Sequence, residues 1–146
     1  MDKRIKHYFY ALCAAFVLVL AVFFLPGLME LVHGPVFLLP MLLFSVLGVI
    51  LTITVFRGKA EGKPKVFLLM AGISSGAFFP CIFLHNAVYA LLMVLFGQDF
   101  WSRTGIGDEP VFFLLGLVVC PAVFLAGITG VLAVVVVSLR KSAGLT

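Results

Sequence analysis

Four stretches of this chain, at about 8–32, 36–56, 66–96 and 111–139, each run past twenty residues without a lysine or arginine. A helix needs ~20 mainly apolar residues to cross a hydrocarbon layer about 30 Å thick, because each residue rises ~1.5 Å. Lipid offers the backbone no hydrogen bonds, so a span is either a helix or a strand of a closed barrel. These runs are continuous rather than alternating, which excludes a barrel. The expected fold is all-α: a single integral membrane domain over 1–146, an antiparallel bundle of four transmembrane helices.

Composition leaves little room for another class. Hydrophobic residues make up 64% of the chain and charged residues 11%, whereas soluble domains carry roughly a quarter charged. Mean hydropathy is +1.28. The basic start, Lys3, Arg4 and Lys6, resembles that of a signal peptide, but the apolar stretch behind it far exceeds the ~7–15 residues of a signal core. The first run is therefore read as a mature helix.

Charge sets the expected orientation, since Lys and Arg near spans stay on the cytoplasmic side. The N-terminus carries Lys3, Arg4 and Lys6, the second connection Arg57, Lys59, Lys63 and Lys65, and the tail Arg140 and Lys141, which leaves only Arg103 of the ten basic residues elsewhere. Both termini are expected in the cytoplasm of a multi-pass protein of the cell membrane. The third connection, with Asp99, Arg103, Asp108 and Glu109, faces outward. The net +4 is then a matter of topology and anionic lipid, with no nucleic-acid partner. Tyr8, Phe9 and Tyr10 at one boundary and Phe100 and Trp101 at the other are interface anchors.

Small residues let membrane helices approach closely. The third run offers Gly72 and Gly76, the fourth Ala122, Ala126 and Gly130 at intervals of four, and the two runs are expected to pair through them. The same faces suit a homo-oligomer or a partner membrane protein. Pro26, Pro80 and Pro121 interrupt their helices and are expected to kink them.

Polar residues at membrane depth are costly and mark function by default. Ser74, Cys81, His85 and Tyr89 recur at helical spacing in the third run, with Asn86 beside them, so they form one stripe expected to face protein. Counted from Leu95, His85 falls ~15 Å below the outer end of its helix, at about the depth of Cys120 in the fourth run. Three roles compete for this stripe: hydrogen-bonded glue between helices, a polar path in a small oligomeric proton or solute transporter, and a metal or lipid-active site at the outer leaflet using Glu30, His33, His85 and Cys120. Glu30 and His33 share a helical face. No CxxC or HExxH is present, and no catalytic residue is assigned. Gly105-Ile106-Gly107 lacks the third glycine of a nucleotide loop and reads as a turn, Asp108-Glu109-Pro110 reads as a helix start, and no cofactor is assigned.

The run Leu84-His-Asn-Ala-Val-Tyr-Ala-Leu91, with Asp108-Glu-Pro-Val-Phe-Phe113 and Val119-Cys-Pro121, resembles uncharacterised small four-helix integral membrane proteins of bacteria and archaea. The likeness covers mainly the C-terminal half and implies the same topology, with no activity attached. The small four-helix multidrug exporters match in size but bear a membrane-embedded glutamate in their first helix, whereas Glu30 lies at the far end of its own. The function expected is that of a structural or binding membrane module.

Overall fold

A computed structural model describes residues 2–25, 27, 36 and 38–144, and among them no strand occurs. Four helices are long and apolar enough to cross a membrane: α1 (Lys3–Phe24), α2 (Leu38–Arg57), α3 (Gly62–Phe96) and α5 (Pro110–Ser142), with a short α4 (Phe100–Thr104) between the last two. Their length and composition make the chain a multi-pass membrane protein. Helix α1 starts five residues earlier than the apolar run because the Asp2 carboxylate caps it, accepting from the Arg4 amide at 3.0 Å. Pro26 lies outside the described residues, as do Glu30 and His33.

Helix α3 sits in the middle, packed on α2 along one face and on α5 along another, while α1 packs on α2. The α2–α3 seam is nearly bare backbone. A methyl group placed on Gly48 would meet Ser75 Oγ and then main chain, Gly76 N at 2.6 Å and Gly72 O at 2.8 Å. Gly72 in turn faces Gly48 O and Thr52 N, both 3.1 Å from where its Cβ would stand. The expected pairing is corrected here: Gly72 and Gly76 receive α2 rather than the last helix.

The α3–α5 seam uses a different row of α5. Cys120, Phe124, Gly127 and Val131 are buried, and a Cβ on Gly127 would stand 2.8 Å from both Ala71 N and Phe67 O. Gly130 meets the Phe67 ring, but Ala122 and Ala126 are exposed on the far side. The physical reason is rotation: a stretch with small residues on two faces seats only one, and Gly127 allows the closer approach.

One phenyl ring from each long helix meets at the centre. Phe44 stands 5.7 Å from Phe16, 5.7 Å from Phe78 and 5.0 Å from Phe124, and Phe16 stands 4.7 Å from Phe124, all centroid to centroid. Two of these pairs are edge-to-face, the arrangement favoured by the ring quadrupole. In lipid such dispersion contacts matter more than removal of apolar surface from water, since lipid is itself apolar. The outer faces stay apolar too, with Val17, Leu39, Ile53 and Val136 exposed, a pattern suited to contact with acyl chains.

Helix α3 runs through Pro80 as continuous α-helix, whereas α5 changes to π-helix just before Pro121. At Pro80 the hydroxyl of Ser45, from α2, accepts from the Phe79 amide at 2.9 Å and donates to the Ser75 carbonyl at 2.8 Å. An α-helix pairs that amide and carbonyl directly, so Ser45 stands in a turn of α3 from outside. In α5 the segment Leu115–Val119, just before Pro121, is π-helical, and a Cβ on its Gly116 would lie 3.2 Å from the Cys81 Cβ.

Candidate functional site

The third connection returns the chain to α3 through a chain of capped turns. Gly105 and Gly107 adopt φ of 72° and 78°, left-handed values that glycine accepts without a steric penalty. Asp108 Oδ1 accepts from the Glu109 amide at 2.7 Å. Glu109 then caps α5: its Oε1 accepts from the Val111 amide at 2.8 Å and its Oε2 from the Phe112 amide at 2.9 Å, with Pro110 at the first helical position where no N–H is needed. A carboxylate at this end also faces the positive pole of the helix. These bonds explain how the Glu109 side chain is held at 6% exposure without a Lys or Arg beside it.

His85 locks onto this turn from α3. Its Nδ1 lies 3.0 Å from the carbonyl oxygen of Glu109 and 3.4 Å from Glu109 Oε2. Both are acceptors, so Nδ1 carries a proton and donates. Nε2 faces Asp108 Oδ1 at 3.7 Å, too far for a hydrogen bond. The ring also lies 5.5 Å from that of Phe113. One helical turn further along α3, the Tyr89 ring stacks on Trp101 of α4 at 5.5 Å and 2°, and Trp101 Nε1 donates to the Tyr89 carbonyl at 3.2 Å. Arg103 donates to the Phe96 carbonyl at 2.6 Å, so the third connection folds back on the end of α3.

The stripe thus divides. Cys81, His85 and Tyr89 are half-buried beneath α5, the Asp108–Glu109 turn and α4, whereas Ser74 is buried and donates to Met70 O of its own helix at 2.6 Å. Asn86 is exposed, its amide donating to Ile82 O at 2.8 Å. His85 meets Glu109 rather than Cys120, whose thiol neighbour is Cys81, and both cysteines are free. Among the described residues no three His, Cys, Asp or Glu side chains gather as a metal site.

Helix α3 has 35 residues, about 52 Å of helix, while α2 has 20, about 30 Å and enough for one crossing. A cleft of about 280 Å³ brings His85 beside Phe23 and Leu38, the last turn of α1 and the first residue of α2. His85 thus stands beside the end of α1 and the start of α2. Asp108 and Glu109, read from sequence as a helix start only, are the partners that the stripe lacked, and the Asp-Glu-Pro cap was their one local signal.

Below the cleft, α1 and α5 stand apart over a groove of about 540 Å³. Phe16, Val19, Leu20, Phe23 and Phe24 form one wall, Leu117, Pro121 and Leu125 the other, and Phe44 and Phe78 the base. Phe23 and Leu117 line cleft and groove alike.

No protein-family model matches the chain, and no curated protein and no solved structure matches it.

Proposed function

We propose that this chain is a structural or binding module of the cell membrane: four antiparallel spans, both termini cytoplasmic, with the outer connection fastened over the bundle by His85. The observation that carries this reading is a set of three hydrogen bonds in that connection, His85 Nδ1–H to the Glu109 carbonyl and the Val111 and Phe112 amides of α5 to the Glu109 carboxylate. Those contacts tie α3 to α5 and hold a turn over a small cleft, as a fixed cap does.

Antiparallel order is supported by the contact sequence along α2 and α3, where Ser45 meets Phe79, Gly48 meets Gly76 and Thr52 meets Gly72. A common side for the basic segments is supported by the hollow that Asp2, Arg4, Arg57, Lys59 and Glu61 line together. Against a conducting path, the Ser74 hydroxyl and one of the two Asn86 amide hydrogens are spent on their own helix. The exposed Ala122 and Ala126 suit contact with a second membrane helix, from another copy or from a partner protein.

Topology is tested by single cysteines introduced at Lys59 and Ile106 of a chain whose native cysteines are replaced by alanine. Membrane-impermeant maleimide added to intact cells is expected to label position 106 and to reach position 59 only after lysis. Labelling of position 59 in intact cells would overturn the orientation, and labelling of both positions in a soluble fraction would overturn membrane insertion.

A further inference from the structure

We propose that the cleft at His85 and the groove below it hold one lipid with a primary ammonium headgroup, the amine between His85 Nε2 and Asp108 and an acyl chain between α1 and α5. The inference deepens the binding role above and depends on its membrane placement.

Hydrogen-bond accounting is the first step. With Nδ1–H committed to the Glu109 carbonyl, the imidazole in its neutral form presents a bare lone pair on Nε2, and the proposal takes that form. Asp108 Oδ1, another acceptor, faces it at 3.7 Å. Two acceptors set opposite each other call for a donor between or beside them. Glu109 does not compete, since it lies on the Nδ1 side of the ring, buried and holding two α5 amides, whereas Asp108 holds the single Glu109 amide and stays open to solvent. Among the described residues no Lys or Arg pairs with Asp108, whose side chain is 55% exposed. A primary ammonium brings three N–H donors and a positive charge to a carboxylate, whereas an anionic head would meet repulsion and a quaternary amine brings no donor.

Shape supplies the second step. Cleft and groove adjoin, sharing Phe23 and Leu117 in their walls, while Asp108 stands outside the cleft's lining on the Nε2 side of His85. From there the groove runs along α1 to Phe16 and along α5 to Leu125, about 12 Å on either helix, and its walls are apolar throughout. The head site stands level with the ends of α1 and α2, where a headgroup belongs, and the groove leads toward the middle of the bundle, where an acyl chain belongs. A soluble amine would fill the cleft alone and leave the groove uncovered.

The test is native mass spectrometry of the full chain from nanodiscs holding equal amounts of phosphatidylethanolamine, phosphatidylcholine and phosphatidylglycerol with identical acyl chains. Phosphatidylethanolamine is expected to be retained about tenfold over the other two, the worth of one charge-assisted hydrogen bond. Asp108→Asn should abolish the preference, and Leu117→Trp, which plugs the groove, should lower retention of all three, with thermal unfolding confirming that both variants fold. Equal retention of the three lipids by the wild type, or an unchanged preference in Asp108→Asn, means boundary lipid only and overturns the proposal. Displacement of the lipid by free ethanolamine at equal concentration would overturn the acyl-chain half. A ring-nitrogen NMR spectrum showing His85 doubly protonated at neutral pH in phosphatidylcholine alone would also overturn it, because Nε2 would then donate to Asp108 itself. Failure of the cysteine labelling sinks the membrane placement, whatever these lipids do.

Discussion

The imidazole Nδ1 of His85 and the carbonyl oxygen of Glu109, 24 residues apart in the chain, stand 3.0 Å from each other. Replacing the histidine removes the donor and leaves that carbonyl and Glu109 Oε2 facing an empty volume. His85→Ala is expected to cost about 1–2 kcal/mol in a detergent unfolding titration, the range for an interhelical hydrogen bond in membranes. The chain has one tryptophan, and Trp101 rests on Tyr89 one turn from the histidine. Its emission should therefore shift to the red in this variant as the outer connection loosens. Unchanged stability and emission would show that the contact holds nothing.

The Glu109 carboxylate serves two amides of α5, so the form of its replacement decides the outcome. Glu109→Ala loses both bonds and is expected to cost about 0.5–2 kcal/mol, as N-cap deletions do. Glu109→Gln keeps one acceptor and should recover part of that loss. Hydrogen exchange at the Val111 and Phe112 amides checks the assignment, with faster exchange expected in the alanine variant alone.

What was legible in the sequence follows from which properties are local. Span number is local, because length and apolarity are counted along the chain, and the Asp-Glu-Pro start of α5 is local too. Partner choice is not. Gly72 and Gly76 announced that α3 can be approached closely, but the Gly48 backbone that approaches them belongs to another helix with its own single glycine. Ala122 and Ala126 made as good a row as Gly127 on paper, and only the rotation of α5 separates them. That His85 stands beside the ends of α1 and α2 is not legible either, because the count along α3 says nothing of where its neighbours stop. Ser45 carried no signal at all, since its value lies in facing the turn before Pro80.

Gly48 offers the sharpest test of the α2–α3 seam. A Cβ there meets main-chain atoms at 2.6 and 2.8 Å, and main chain cannot rotate aside. Gly48→Ala is expected to destabilise the bundle by about 1–3 kcal/mol, as overpacking does. Ala126→Leu should leave the monomer's stability unchanged, because position 126 is exposed. If the leucine variant changes the oligomeric state seen by crosslinking, that face of α5 lies between copies. Equal stability of Gly48→Ala and the wild type would contradict the close seam.

Ser45→Ala removes the hydroxyl between the Phe79 amide and the Ser75 carbonyl. The expected loss is small, about 0.6 kcal/mol and no more than ~1.7, because groups freed in a membrane helix find other partners. Exchange of the Phe79 amide is the better readout. Faster exchange is expected if the turn stays open, and slower exchange would mean that the two groups join directly, so that Ser45 had been prising them apart.

The unequal helices also bear on the bilayer. A 20-residue α2 and a 35-residue α3 cannot both match one hydrocarbon thickness while standing upright side by side. Tilting the bundle shortens the projection of α3 but carries α2 with it, since their backbones touch at Gly48 and Gly72. The remaining mismatch falls on the lipids, thickened beside the outer turns of α3 and α4 and relaxed beside α1 and α2. Such a lopsided annulus gives the protein a preference among membranes of different thickness and a direction in which neighbouring proteins are drawn, before any specific contact is made.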